Sequence, residues 1–318
     1  MRLVSYLGAS GPAAGVLTVG DLVVPLGAIE GGLDLALAEG RWAELLAEAV
    51  GIDGAPSEDL ARTARPLAEL QLLPAIEFPA KIVCVGLNYA GHVAEGGRPT
   101  PERPLLFGKF GNAVIGDGEP IIRPEGCRAL DLEAELGVVI GQRVRRVSAA
   151  AALAHVAGYI VINDVSARDW QGVPAALQPG EKGDGQWLRA KSSDTFLPVG
   201  PILTTPDALD VAAGTRVRSW RIPGSGAEAG TAIPMQDAST SQMIWSVPRL
   251  IELISRHITL DAGDIIATGT PAGVGAYREP PVFLVPGDRV RCQVDGIGTV
   301  ENPVIDWSDA PTDDEDID

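Results

Sequence analysis

Cysteine is scarce in this sequence: Cys84, Cys127 and Cys292 are odd in number and far apart. That spacing speaks against a disulfide framework or a zinc site, and the apolar runs around Cys84 and Cys292 mark reduced core thiols. No apolar run approaches the roughly 18 to 20 residues that a membrane span needs, so no membrane partner is expected. Basic residues are outnumbered, 25 Lys and Arg against 42 Asp and Glu, for a net charge of -17. That balance argues against nucleic acid, whose phosphates demand clustered Lys and Arg. No internal repeat of solenoid period is present. The Gly-rich turn from Gly269 to Gly275 follows a strand-like run, yet its glycine spacing is wrong for a dinucleotide fingerprint and no helix clearly follows. Met1-Arg2-Leu3 leads straight into strand-like sequence without the order of a signal peptide, which makes a cytoplasmic location the default expectation.

What is present is a chain of 318 residues, 46% hydrophobic and 21% charged, with ample material for a globular core in one large domain or a large one plus a small one. Residues 2 to 26 hold three short strand-like runs, Arg2 to Leu7, Gly15 to Val19 and Leu22 to Leu26, that read as a meander. Leu33 to Val50 has apolar residues at helical spacing, with Gly51 as a stop. The Pro74 to Pro79 region reads as a connection, so a small N-terminal domain is expected over residues 1–75 and a catalytic domain over 76–306. The last thirteen residues, Asp306 to Asp318, carry seven acidic side chains and no basic one, and residues 307–318 read as a disordered acidic tail.

The chemistry concentrates in Asp131-Leu132-Glu133-Ala134-Glu135-Leu136-Gly137-Val138-Val139-Ile140-Gly141. Read as a strand, this places Glu133 and Glu135 on one face, and a strand-like run from Gly158 to Asn163 then delivers Asp164 as a third carboxylate. Such a set either forms a solvent-facing polar edge or holds a hard divalent ion such as Mg²⁺ or Mn²⁺. His92-Val93-Ala94-Glu95, followed by Gly96-Gly97, puts an imidazole and a carboxylate at i, i+3 if it makes one helical turn, an arrangement suited to a general base on a segment that moves. Arg168 clamps a substrate carboxylate or pairs with Asp169. Residues 172 to 190, rich in Gly and polar groups, form a long excursion before Lys191. The exposed amides of the Gly269 to Gly275 turn and the Thr270 hydroxyl are able to cradle a carboxylate.

Five words in one order, Lys81 to Glu95, Asp131 to Gly141, Asn163 to Gln171, Lys191 to Phe196 and Gly263 to Gly275, resemble the fumarylacetoacetate hydrolase superfamily, in the branch of acylpyruvate hydrolases, oxaloacetate decarboxylases and hydroxyhepta-dienedioate isomerases. The resemblance covers about residues 78 to 305. It implies an α+β fold with a mixed β-roll, barrel-like catalytic domain, preceded here by a small N-terminal α+β domain, and a homodimer. It also implies Mg²⁺ or Mn²⁺ on Glu133, Glu135 and Asp164, a catalytic His92–Glu95 dyad under a lid, and Gln171 and Lys191 positioning water and substrate. Arg168, Thr270, Asn88 and Tyr89 are assigned to the substrate, a small anionic 2-oxo acid.

The activity expected on that basis is hydrolysis of a carbon–carbon bond in a 2,4-dioxo acid, with His92 activating water. Isomerisation, tautomerisation or oxaloacetate decarboxylation on the same site are the alternatives, and a catalytically silent ligand-binding homologue is the remote one.

Overall fold

The computed structural model describes residues 1–27, 31–52 and 62–312. The expected meander forms as β1 (Arg2–Gly8), β2 (Gly11–Leu17) and β3 (Leu22–Pro25), each antiparallel to the next. The expected single helix is broken into α1 (Gly32–Ala38) and α2 (Trp42–Ile52). Gly40 takes φ +70° and the Arg41 N–H reaches back to the Ala36 carbonyl, a glycine-terminated stop that helical periodicity alone does not reveal. Gly51, expected as the stop, lies inside α2.

After β4 (Arg65–Pro66) the chain runs through β5 (Ile82–Gly86), α3 (Ala90–Glu95), β6 (Leu105–Lys109), β7 (Val114–Ile115), β8 (Ile121–Arg123), β9 (Leu130–Asp131) and β10 (Ala134–Ile140). Then follow α4 (Ala149–Ala152), β11 (Val156–Asn163), β12 (Ser166–Ala167), α5 (Arg168–Gln171) and α6 (Trp187–Ser192). The remainder is β13 (Leu197–Pro198), β14 (Ile202–Thr204), α7 (Val211–Gly214), β15 (Arg216–Ile222), β16 (Ile233–Ser239), α8 (Val247–Ser255), β17 (Ile265–Ala267), β18 (Arg289–Val294) and β19 (Gly298–Asp306). Pro248 delays the start of α8 to Val247, since a proline fits the first turn of a helix and not its interior.

A ten-stranded sheet in the order β4-β3-β2-β1-β14-β11-β10-β17-β5-β6 packs with a five-stranded sheet, β16-β15-β18-β19-β8, and two short pairs complete the pairing. The mixed fold is the expected α+β type with several sheets, and the large sheet ends at β4 and β6 without closing into a barrel. Strands from residues 1–75 continue that sheet, because β1 pairs with β14 in the register Arg2↔Thr204 to Val4↔Ile202. One hydrophobic cluster runs from Leu3 to Val304 through the centre strands β10 and β11. Residues 313–318 of the acidic tail lie outside the described residues, and Trp307–Asp309 form a 3-10 turn.

Candidate active site

The glutamate pair does not lie on one continuous strand. β10 begins at Ala134, and Glu133 occupies the break after β9. Side chains replace the ladder there: the Glu133 N–H donates to Asn163 Oδ1 at 2.9 Å and the Ala134 N–H to Gln236 Oε1 at 2.9 Å. The break turns Glu133 toward Glu135 and Asp164, so that one carboxylate oxygen from each lies within 4.8 Å of the others. All three side chains are buried, which removes the polar-edge alternative.

Three buried cations answer this charge. Lys191 Nζ donates to Glu133 Oε2 at 2.8 Å and to Asp164 Oδ2 at 2.7 Å. Lys109 Nζ sits 2.7 Å from Asp164 Oδ1 and donates to the carbonyls of Val165 at 3.1 Å and Phe196 at 2.8 Å, and to that of Lys191. Arg168 Nε donates to Asp131 Oδ2 at 2.9 Å, its second terminal nitrogen lies 2.6 Å from Glu133 Oε1, and its first donates to Gln171 Oε1 at 3.1 Å. The local alternative for Arg168 is thereby corrected: Asp169 does not pair with it, and accepts instead from the Arg128 backbone N–H at 3.0 Å.

The electrostatics are uneven. Burial opposes ionisation of Glu133, yet Arg168 and Lys191 outweigh it and hold the carboxyl far below the usual range. Glu135 has no cation on it among the described residues, and only the Gly269 N–H donates to it, at 2.8 Å. Burial, then repulsion from Asp164 and Glu133, pushes Glu135 well above the carboxylate range. Burial lowers the pKa of Lys109, while Asp164 and Glu133 overcome burial at Lys191 and raise it. An all-oxygen, buried set with one uncompensated carboxylate has the donor chemistry of a hard divalent cation site.

The dyad is formed. His92 and Glu95 lie on α3, with His92 Nδ1 2.6 Å from Glu95 Oε1. A carboxylate only accepts, so Nδ1 carries the hydrogen, and in the neutral ring Nε2 keeps the lone pair. Glu95 Oε2 is held by the Gly273 N–H at 2.8 Å. His92, Glu133, Glu135, Arg168, Gln171, Lys191 and Thr270 line one cavity of about 120 Å³.

Other expected contacts turn inward. The amides of the 269–276 turn cradle the protein's own carboxylates rather than a ligand's: Gly269 serves Glu135, Gly273 serves Glu95, and Gly275 and Ala276 serve Asp131 at 2.8 and 3.1 Å. The Thr270 hydroxyl, expected at the substrate, donates to the Ala134 carbonyl at 3.0 Å and accepts from Gln236 at 2.7 Å. Asn88, also expected there, spends its amide on the backbone of Thr268 and Trp245. Tyr89 is buried and does not line the cavity, its hydroxyl is without a partner among the described residues, and burial and the Glu135 charge raise its pKa.

Sequence reasoning missed Lys109, Asp131 and Gln236 as supports and Arg98, Phe107, Trp187 and Tyr277 as cavity lining. The one available signal was Lys109 closing the apolar run from Leu105. Trp187 belongs to the excursion, which ends in α6 and carries Lys191 to the site.

Residues 81–305 match the fumarylacetoacetate (FAA) hydrolase C-terminal family. The chain is 42% identical over 240 residues to oxaloacetate tautomerase FAHD2A, mitochondrial, of Bos taurus, covering 76% of this chain and 71% of the relative. Among solved structures, fumarylacetoacetate hydrolase from psychrophilic Exiguobacterium antarcticum superposes with a TM-score of 0.77 at 32% identity over 96% of this chain and 99% of the other. The 2-hydroxyhepta-2,4-diene-1,7-dioate isomerase of Mycobacterium marinum does so at 0.71 and 32%, with coverage of 96% and 99%. The mitochondrial designation of the bovine relative corrects the cytoplasmic location expected from the first residues. Arg2 already belongs to β1, so those residues report on the sheet and not on a compartment. No helix among the described residues is long and apolar enough to cross a membrane.

Proposed function

The chain belongs to the fumarylacetoacetate hydrolase family, and from that premise we propose that it is a tautomerase or isomerase of a small dicarboxylic 2-oxo acid of the oxaloacetate type. The observation that carries the reading is one carboxylate-held imidazole in the same cavity as Glu133 and Glu135, two of three clustered carboxylates. Tautomerisation needs one base that takes a proton from carbon and returns it to oxygen of the same molecule. The bovine and mycobacterial relatives, both named for rearrangements, support it.

His92 Nε2 removes a proton from the carbon next to the ketone, and the electron pair moves to the ketone oxygen. Glu95, fixed by the Gly273 N–H, stabilises the imidazolium, which returns the proton to that oxygen and leaves the enol. No water is consumed. Two of the Lys191 protons are engaged by Glu133 and Asp164, which leaves the third to donate to the developing oxyanion. Glu133, Glu135 and Asp164 would hold Mg²⁺ or Mn²⁺, which when bound supplies Lewis-acid polarisation of the ketone. Gln171 orients Arg168 through its side-chain oxygen.

Carbon–carbon hydrolysis is the second reading, favoured by the likeness to the Exiguobacterium antarcticum enzyme, and uses the same dyad on water. The two are separated by following loss of oxaloacetate enol absorbance alongside pyruvate release from acetylpyruvate and fumarylpyruvate, with and without Mg²⁺ or Mn²⁺. The expected result is metal-dependent keto–enol interconversion that drops by about 100-fold or more in His92→Ala and in Glu135→Ala, without acylpyruvate cleavage. Pyruvate release from an acylpyruvate with no acceleration of the keto–enol step overturns the proposal in favour of the hydrolase.

A further inference from the structure

A dicarboxylic 2-oxo acid brings a second negative charge that the proximal groups leave unanswered. Arg98, Arg168 and Lys191 are the cations lining the cavity. Arg168 faces Asp131 and Glu133, and Lys191 bridges Glu133 and Asp164, so both are neutralised by the protein. Among the described residues that line the cavity, Arg98 is the cation whose side chain has no acidic partner.

Its backbone is less free than its side chain. α3 ends at Glu95 with Gly96 as its cap, Gly97 takes φ +60°, the Gly97 N–H donates to the Ala94 carbonyl at 3.0 Å, and the Arg98 N–H donates to that of Val93 at 3.2 Å. This is the paired-bond stop of a glycine-terminated helix, and Pro99 restricts Arg98 further toward an extended backbone. Arg98 is therefore tied by its own N–H, beside that of Gly97, to the helix that carries His92 and Glu95.

We propose that Arg98 is a specificity-determining residue that takes the distal carboxylate of the substrate and, through the α3 stop, seats the dyad when that carboxylate is present. The inference rests on the 2-oxo diacid reading of the site. A guanidinium suits the task because it pairs with a carboxylate through two parallel N–H donors. The carboxylate is bound at the rim, where Arg98 is exposed, while the 2-oxo acid end enters the buried carboxylate cluster.

The test compares wild type, Arg98→Ala and Arg98→Lys in two measurements. The first is turnover of oxaloacetate against deuterium exchange at the carbon next to the ketone of 2-oxobutanoate, which lacks the distal carboxylate. Arg98→Ala is expected to raise the oxaloacetate KM about ten- to hundred-fold and to leave 2-oxobutanoate exchange within about twofold, with Arg98→Lys recovering part of the loss. The second is binding of malate against lactate, hydroxy acids that differ by the distal carboxylate, in the presence of Mg²⁺ by calorimetry. Wild type is expected to prefer the diacid, and Arg98→Ala to lose that preference.

Equal effects of Arg98→Ala on diacid and monoacid, or none on either, overturn the inference. If wild type turns over no 2-oxo acid yet shows an Arg98-dependent preference for malate, the functional reading falls and the assignment of Arg98 stands. Turnover of oxaloacetate with an unaltered Arg98→Ala variant means the reverse.

Discussion

Glu135 is the residue at which the site's charge does not balance. Glu133 has Arg168 and Lys191 on it, and Asp164 has Lys109 and Lys191. Glu135 has one backbone N–H, and burial with two neighbouring carboxylates raises its pKa. Repulsion of this kind is relieved by a proton, by a cation or by an amide. Glu135→Gln keeps an oxygen to accept from Gly269 and removes the charge. It is expected to raise the thermal midpoint of the metal-free protein and to weaken Mg²⁺ or Mn²⁺ binding by about tenfold or more. Thermal melts with chelator and with added metal check both halves, and a metal-free midpoint below that of wild type would show that Glu135 is not repelled. At the same scale, Lys109 shows why a buried cation escapes a local reading: its partners are Asp164 and the carbonyls of Val165, Lys191 and Phe196, all distant in sequence.

The element that organises the site is the turn after β17. Four backbone donors, Gly269, Gly273, Gly275 and Ala276, hold Glu135, Glu95 and Asp131, which are respectively a clustered carboxylate, the acid paired with His92 and the anchor of Arg168. Close backbone approach makes this possible. A Cβ on Gly273 would stand 2.2 Å from the Met235 carbonyl oxygen, and φ there is +106°. One on Gly275 would stand 1.9 Å from that of Val282. Gly273→Ala is expected to cost about 1 to 3 kcal/mol of stability and to lower kcat at least tenfold, because Glu95 loses its donor and His92 its orientation. Urea titration and kinetics together check this. A fully active Gly273→Ala enzyme means that the turn does not set the dyad.

At the scale of the whole molecule, the N-terminal strands are held to the rest by β1 against β14 and by Asp34, whose carboxylate accepts from the Glu77 N–H at 2.8 Å and the Phe78 N–H at 3.4 Å. Burial raises the Asp34 pKa despite those two donors. A folded-state pKa above the unfolded value means that the folded protein binds the proton more tightly. The stability this group contributes is therefore present at pH below the ordinary aspartate value and declines as pH rises through the raised one. Asp34→Asn should flatten that acidic-range part of the pH profile of the thermal midpoint. An unchanged slope between about pH 4 and 6 would show that Asp34 does not titrate in folding.

Periodicity and residue type determined the strands of the meander, the apolar core strands β10 and β11, the three carboxylates and the dyad, because each depends on neighbours within a few positions or on a motif whose order survives in the chain. The glycine stop that splits α1 from α2 escaped that reading, since backbone handedness leaves no mark on hydrophobic spacing. Tertiary structure alone decided what the carboxylates face. Asn163 and Gln236 break the strand at Glu133, Lys109 crosses from β6 to Asp164, and the β17 turn gives its amides to the protein's own acids rather than to a ligand. These are contacts between residues up to more than a hundred positions apart, made in a buried volume where every charge and every N–H needs a partner, and only the packed fold brings the partners together.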